Sequence, residues 1–257
     1  MAALLLKGVP IASIDGVLFD KDGTLSHSEP YLIELAERRI QTGLDLWSAT
    51  GDPSQSRRLE ETLRKAFGMD QCTLHPGGTL AVAAREDNIL STATVFCLFG
   101  LTWTEALKLA HDCFAEVDQH IGCSLPPSPL LPDAGKVLQL FQNSGLLNAV
   151  ISNDTTRGVR RFLEHHQLSS RIVSIWSADD IPRKPDPRAV AQLCGRLGIS
   201  PRRCALVGDA ETDLQMAIEA GIGCVIGYTG GWSLPPDLPS AEHLLGHWSD
   251  LELDSDA

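Results

Sequence analysis

The sequence has no apolar run of membrane-spanning length, no C-x-x-C pair, no internal repeat and no low-complexity segment. The first absence removes a transmembrane helix from consideration. The apolar start Ala2-Ala3-Leu4-Leu5-Leu6 is too short for the apolar part of a signal segment and has no basic stretch before it, so the expected location is cytoplasmic. Seven cysteines, at 72, 97, 113, 123, 194, 204 and 224, are scattered through apolar stretches. Without paired spacing they read as buried thiols of a reducing compartment rather than as a disulfide frame or a zinc site. Positive charge is also scarce: 21 Lys and Arg against 33 Asp and Glu give a net charge of -12. That balance sets aside nucleic acid and anionic membranes as partners. An acidic chain still binds phosphate where a divalent cation and a lysine set the local field.

What the chain does have is a set of short apolar runs followed by polar clusters. Val17-Leu18-Phe19 leads into Asp20-Lys21-Asp22-Gly23-Thr24-Leu25, and Ala149-Val150-Ile151 into Ser152-Asn153-Asp154. The run from Ile172 to Trp176 is followed by Lys184-Pro185-Asp186-Pro187, and Ala205-Leu206-Val207 by Gly208-Asp209-Ala210-Glu211-Thr212-Asp213. Residues two apart in an extended segment point the same way, so Asp20 and Asp22 can reach one site where a strand ends, with Gly23 turning the backbone beside them. Taken alone, the segment also fits an Asp-Gly turn closing a hairpin. A calcium loop fails on spacing, because an EF-hand needs its glycine at the sixth position, after acidic residues at one, three and five, and a helix on either side.

Between the first and second clusters the texture becomes helical. Leu32, Leu35, Ala36 and Ile40 recur at helical spacing, then Leu59, Leu63 and Phe67 with Gly68 placed to end the helix, then Ile89, Ala93, Phe96 and Cys97 up to Gly100. Thr102-Trp103-Thr104-Glu105 is a capping-box pattern that opens a fourth helix, with Ala106, Ala110, Cys113, Phe114 and Val117 on one face. These stripes read as bundle packing, Trp103 and Phe114 included, and the insertion as helices alone. Its boundaries fall near His27-Ser28-Glu29-Pro30 and in the stiff stretch Leu125-Pro126-Pro127-Ser128-Pro129, which predicts a helical domain over 28–128 between core segments 1–27 and 129–257. From Pro132 onward helix and strand alternate, beginning with a helix that Asp133 is placed to cap. This rhythm predicts an α/β, Rossmann-like core with a parallel sheet covered by helices. In such sheets ligands sit outside the carboxyl ends of the strands, where all four clusters fall.

The ordered motifs Asp20/Asp22, Ser152, Lys184 and Asp209/Asp213 resemble those of the haloacid dehalogenase-like hydrolase superfamily, from about Gly16 to Leu251 apart from the insertion. The resemblance implies that Asp20 is a nucleophile forming an aspartyl phosphate and Asp22 a general acid and base. An aspartate at the Asp22 position is shared by phosphatases and phosphomutases of the superfamily and is lacking in its dehalogenases. It further implies Mg2+ held by Asp20, Asp209 and the Asp22 backbone carbonyl, with Asp213 supporting the metal site or Lys184. Lys184 would neutralise the nucleophile and the phosphoryl oxygens, Ser152 and Asn153 would bind those oxygens, and the helical insertion would be a substrate-selecting cap.

Read from residue type alone, Asp213 also suits the acidic first turn of a helix, Lys184 a solvated surface, and Ser152 and Asn153 the N-cap of a helix starting near Thr155. Asp186 reads as a turn residue, and His165-His166 lack metal-ligand spacing. The expected function is a magnesium-dependent phosphatase of a small phosphorylated metabolite, phosphoglycolate-like, a sugar phosphate or a nucleotide, with an arrangement that resembles phosphoglycolate phosphatases. A phosphomutase of the beta-phosphoglucomutase type shares the same parts. A non-catalytic binding protein of this fold would be expected to have lost a motif carboxylate, and none is missing. The sequence carries no sign of the oligomeric state.

Overall fold

The computed structural model describes residues 2–49, 51–70, 73–124 and 126–254, and of 121–124 the backbone alone. The chain begins with β1 (Ala2–Leu6), β2 (Val9–Ile14) and β3 (Gly16–Phe19). It continues through α1 (Glu29–Trp47), α2 (Ser56–Phe67), β4 (Met69–Asp70), β5 (Thr73–Leu74), α3 (Thr79–Val82), α4 (Arg85–Leu98) and α5 (Trp103–Ser124). Next come α6 (Ala134–Asn143), β6 (Leu147–Ile151), α7 (Thr156–His165), β7 (Ser174–Trp176), α8 (Pro187–Leu197) and β8 (Cys204–Gly208). The last elements are α9 (Glu211–Glu219), β9 (Cys224–Tyr228), β10 (His243–Leu245) and β11 (Leu251–Leu253). Two compact units result, Met1–Ser28 with Pro127–Ala257, and Glu29–Pro126. No described helix is long and apolar enough to cross a membrane.

The first unit is built on a six-stranded parallel sheet in the order β10-β9-β8-β3-β6-β7. Strands β3, β8 and β9 are buried at every residue, which is why they read as unbroken apolar runs and not as alternating ones. The strand period sorts their side chains onto two faces. Val17, Phe19, Val150, Ala205, Val207 and Ile226 enter one core, where Phe141 of α6 and Phe162 of α7 cover them. Leu18, Ala149, Ile151, Leu206 and Val225 enter the other, under Leu193 of α8 and Leu214 of α9. After β3 the chain adds β6 and β7 on one side, then returns to lay β8, β9 and β10 on the other. The crossover direction therefore reverses at β3, and a crevice is expected at its carboxyl end.

A second sheet, β11-β1-β2, is antiparallel and departs from the sequence expectation, in which Ala2–Leu6 figured only as an apolar start. Lys7 and Gly8, at φ 51° and 76°, make the tight turn of its hairpin, while Leu4 and Leu251 enter the core shared with Phe19. Asp133 also differs from expectation. It stands at the N-cap position of α6, but at φ 62° and without a cap hydrogen bond. Its carboxylate pairs instead with Lys136 at 2.7 Å. Thr155 is the side chain that caps α7, accepting from the Gly158 N–H at 3.1 Å, so that role falls to neither Ser152 nor Asn153.

The unit Glu29–Pro126 is not helices alone, because β4 and β5 pair as a short antiparallel hairpin beside the single turn of α3. Gly68 ends α2 in the left-handed region, φ 80°. At the start of α5 the Thr102 N–H donates to Glu105 at 2.9 Å, the return half of a capping box. Phe114 is fully buried, with the Arg39 guanidinium 3.9 Å from its ring centroid and Arg85 at 5.6 Å. Trp103, one turn ahead of the packed stripe, is 51% exposed and is no packing residue. Cys113, Cys194, Cys204 and Cys224 are buried free thiols and Cys97 is half-buried. Cys72, the Cys123 side chain and Leu125 of the linker lie outside the described residues.

Phe114→Ala is expected to cost about 3–5 kcal/mol, whereas Trp103→Ala should stay within about 0.5 kcal/mol. Urea titrations followed by circular dichroism should shift the midpoint for the first variant only; equal shifts would overturn this assignment of the buried face of α5.

Candidate active site

One ammonium and three carboxylates meet at the carboxyl end of the parallel sheet. Asp20 directly follows β3, its N–H bonded to the Val207 carbonyl of β8 at 2.9 Å, and its side chain is buried. Lys184, from the loop after β7, places its Nζ 2.6 Å from Asp20 Oδ1, 2.8 Å from Asp213 Oδ2 and 3.3 Å from the Ile151 carbonyl that ends β6. Asp213 lies in the first turn of α9 and is buried, so the helix-start placement and the lysine pair coexist in one residue. Asp209, just past β8, completes the group: carboxylate oxygens of Asp20, Asp209 and Asp213 lie within 4.8 Å of one another.

Burial sets the electrostatics of this cluster. It pushes the Asp20 carboxyl up to about 6, with Lys184 opposing and Asp213 and Asp22 adding to the rise. Burial, followed by the charges of Asp20 and Asp213, holds Asp209 well above the usual carboxylate range. For Lys184 burial disfavours the charged form, yet Asp20 and Asp213 outweigh it and keep the ammonium above the ordinary lysine value. One ammonium cannot neutralise three buried carboxylates. The surplus negative charge and hard oxygen donors are what a divalent cation such as magnesium requires.

Asp22 is turned differently. Its Oδ1 accepts from Lys21 Nζ at 2.7 Å and from Ser28 Oγ at 2.5 Å, and its carboxylate stands outside the three-carboxylate group. Ser152, buried after β6, accepts the Asp154 N–H at 3.1 Å, which leaves its own hydroxyl proton to donate; Asn153 beside it is half-buried. Asp186 is the N-cap of α8, accepting the Arg188 N–H at 2.9 Å, and takes no part in the cluster.

Comparison with known proteins assigns the family. The profile of the haloacid dehalogenase-like hydrolases matches residues 14–221. The chain belongs to the haloacid dehalogenase-like hydrolase family. It is similar to the phosphoglycolate phosphatase of Yersinia pestis, 28% identical over 249 residues that cover 95% of this chain and 94% of that protein. The phosphoglycolate phosphatase of Pseudomonas putida is 27% identical over 237 residues, covering 87% of this chain and 74% of that protein. A crystal structure described as a predicted phosphoglycolate phosphatase from Haemophilus somnus shares the fold, with a TM-score of 0.61 at 20% identity over 91% of this chain and 95% of that one.

Three residues of this haloacid dehalogenase-like hydrolase carry contacts to which the sequence pattern did not point. Lys21 is buried between Asp22, at 2.7 Å, and Asp154, at 3.1 Å. Thr24 Oγ1 donates to Asp209 Oδ1 at 2.9 Å, and Trp232 Nε1 donates to Asp209 Oδ2 at 2.5 Å, so both oxygens of that carboxylate are oriented. Trp232 had one available signal: Thr229-Gly230-Gly231-Trp232 directly follows β9, at the same carboxyl edge as the four motifs. Gly23 is fixed by this packing. It sits at φ 77°, and a Cβ there would come within 2.3 Å of both Asp209 Oδ2 and Trp232 Nε1.

Gly23→Ala is therefore expected to add at least about 1–2 kcal/mol of backbone strain and to displace Asp209 or Trp232. The check is its urea midpoint together with its hydrolysis of an aryl phosphate; wild-type values of both would remove Gly23 from the site.

Proposed function

We propose that this phosphatase-type hydrolase is a magnesium-dependent phosphomonoesterase for a small phosphorylated metabolite, phosphoglycolate-like, a sugar phosphate or a nucleotide. The observation that carries the reading is the Lys184 ammonium held between Asp20 and Asp213 with Asp209 alongside. Asp20, oriented by Lys184, attacks phosphorus; a carboxylate–phosphorus bond forms as the ester P–O bond breaks, giving an aspartyl phosphate. Asp22 gives the departing oxygen a proton. In the second half Asp22 takes a proton from water, whose oxygen displaces Asp20 and releases inorganic phosphate. Lys21 and Ser28 hold Asp22 Oδ1, which leaves Oδ2 to move the proton.

The Ser152 hydroxyl and Asn153 bind the phosphoryl oxygens, and Lys184 balances their charge. Asp20, Asp209 and the Asp22 backbone carbonyl would hold magnesium, with Asp213 in support and with Thr24 and Trp232 steadying Asp209. Bound there, the cation supplies charge stabilisation for the transferring phosphoryl group. The unit Glu29–Pro126, inserted after β3, is assigned the part of a cap that selects the metabolite. The likeness to phosphoglycolate phosphatases supports a small, anionic substrate.

The nucleophile and the acid/base separate by substitution. Asp20→Asn should reduce hydrolysis of every substrate to background and form no phosphoenzyme. Asp22→Asn should slow turnover of alkyl phosphates by about 10²–10⁴-fold, yet accumulate label on Asp20 from an activated aryl phosphate. A phosphoenzyme in the Asp20→Asn protein would sink the assignment.

Removal of metal with a chelator should abolish hydrolysis and leave the circular dichroism unchanged. Trp232→Phe, which keeps bulk but removes the N–H donor to Asp209, should raise the magnesium concentration for half-activity by about tenfold. Full activity in chelator would end the magnesium reading, and an unchanged magnesium requirement in Trp232→Phe would show that the indole does not steady a ligand.

A further inference from the structure

A second group of ligating side chains lies at the opposite, amino end of the sheet. A sulfur of Cys224, a carboxylate oxygen of Glu242 and a ring nitrogen of His243 lie within 4.8 Å of one another. The strand pattern explains the meeting. β9 and β10 are parallel neighbours with His243 opposite Ile226. Side chains of Cys224, Ile226 and Tyr228 enter the same core as Leu245. His243, two residues before Leu245, therefore faces the same side as Cys224. Glu242 is held at this point because it accepts the Val225 N–H at 3.3 Å through Oε2, leaving Oε1 for another partner. Cys224 is buried, His243 half-buried and Glu242 exposed, so the group is open to solvent on one side.

We propose that Cys224, Glu242 and His243 form a binding site for a zinc-type divalent ion that fastens the edge strand β10 to β9. Thiolate, imidazole and carboxylate are the donor types zinc takes, and three protein ligands leave a fourth position for water. The site is chemically distinct from the all-oxygen cluster of Asp20, Asp209 and Asp213, whose donors suit magnesium. It is also separate in space. Cys224 is level with Ala205 near the start of β8, and Asp209 lies just past the other end of that strand, roughly 10 Å or more away at the usual strand rise. On binding, the Cys224 S–H bond breaks, its proton goes to solvent and the sulfur's electron pair forms the metal bond.

The test is titration of the chelator-stripped full chain with Co2+, a zinc substitute whose thiolate complexes absorb in the near ultraviolet. A saturable thiolate-to-cobalt band is expected at one equivalent, displaced by Zn2+ and indifferent to excess Mg2+. His243→Asn and Glu242→Gln should each weaken cobalt binding by at least about tenfold, while Asp20→Asn should leave the band as in wild type. Zn2+ should raise the melting temperature of the wild type and not that of His243→Asn. Absence of the band overturns the proposal, as does a band that survives both substitutions at full affinity or one that disappears in Asp20→Asn. These outcomes do not depend on Cys224→Ser, so a folding defect at that buried position leaves the result readable.

Discussion

The ion pair of Lys184 with Asp20 and Asp213 is the contact on which the carboxyl end of the parallel sheet depends. Its members come from the end of β3, from the loop after β7 and from α9, and Lys184 also reaches the carbonyl that ends β6. One ammonium therefore joins three crossover units at a single buried point. Removing one partner of a buried pair typically costs about 3–5 kcal/mol, because the charge left behind has lost its water as well as its partner. The third carboxylate, Asp209, accepts from Thr24 and Trp232, while burial and the charges of Asp20 and Asp213 hold it well above the usual carboxylate range. This concentration of buried carboxylate oxygens around one ammonium is the physical basis of the metal and phosphate chemistry proposed for the site.

The rest of the core holds those charges in register. β3, β8 and β9 are buried on both faces, so neither the strands nor their ends can shift without opening one of two cores. A parallel sheet puts every strand's carboxyl end on one side, and the reversal of crossover direction at β3 leaves room there. The loop after β9 closes on this edge, where Trp232 and the Cβ-less Gly23 pack against Asp209. The amino edge differs in chemistry, bringing together a thiol, an imidazole and a carboxylate from Cys224, His243 and Glu242.

Much of the fold was legible because burial on both faces leaves a plain trace. The runs Val17–Phe19, Ala149–Ile151 and Ala205–Val207 announce strands without reference to anything distant, and the stripes Leu59-Leu63-Phe67 and Ala106-Ala110-Cys113-Phe114-Val117 announce helices by period. Where the reading departed from the structure, a longer-range partner decided. Ala2–Leu6 is a strand because Leu251–Leu253 returns to pair with it, and Trp103, one turn ahead of the packed stripe of α5, is 51% exposed. Asp133 follows the residue-type rule for a cap but stands at φ 62° and makes no cap hydrogen bond.

The sequence by itself determined the types and order of the chemical groups: two carboxylates after the first core strand, a hydroxyl after the second, a lysine in the next loop and two more carboxylates after the fourth. These are local consequences of strand ends meeting polar turns. Only the tertiary structure decided which of them touch. It turned Asp22 away from the carboxylate cluster toward Lys21 and Ser28, brought Trp232 and Thr24 onto Asp209, and set Glu242 and His243 beside Cys224 from across a strand pair. Contacts of this kind depend on strand order and register, which arise from packing among segments far apart in the chain and leave no spacing signal in the sequence.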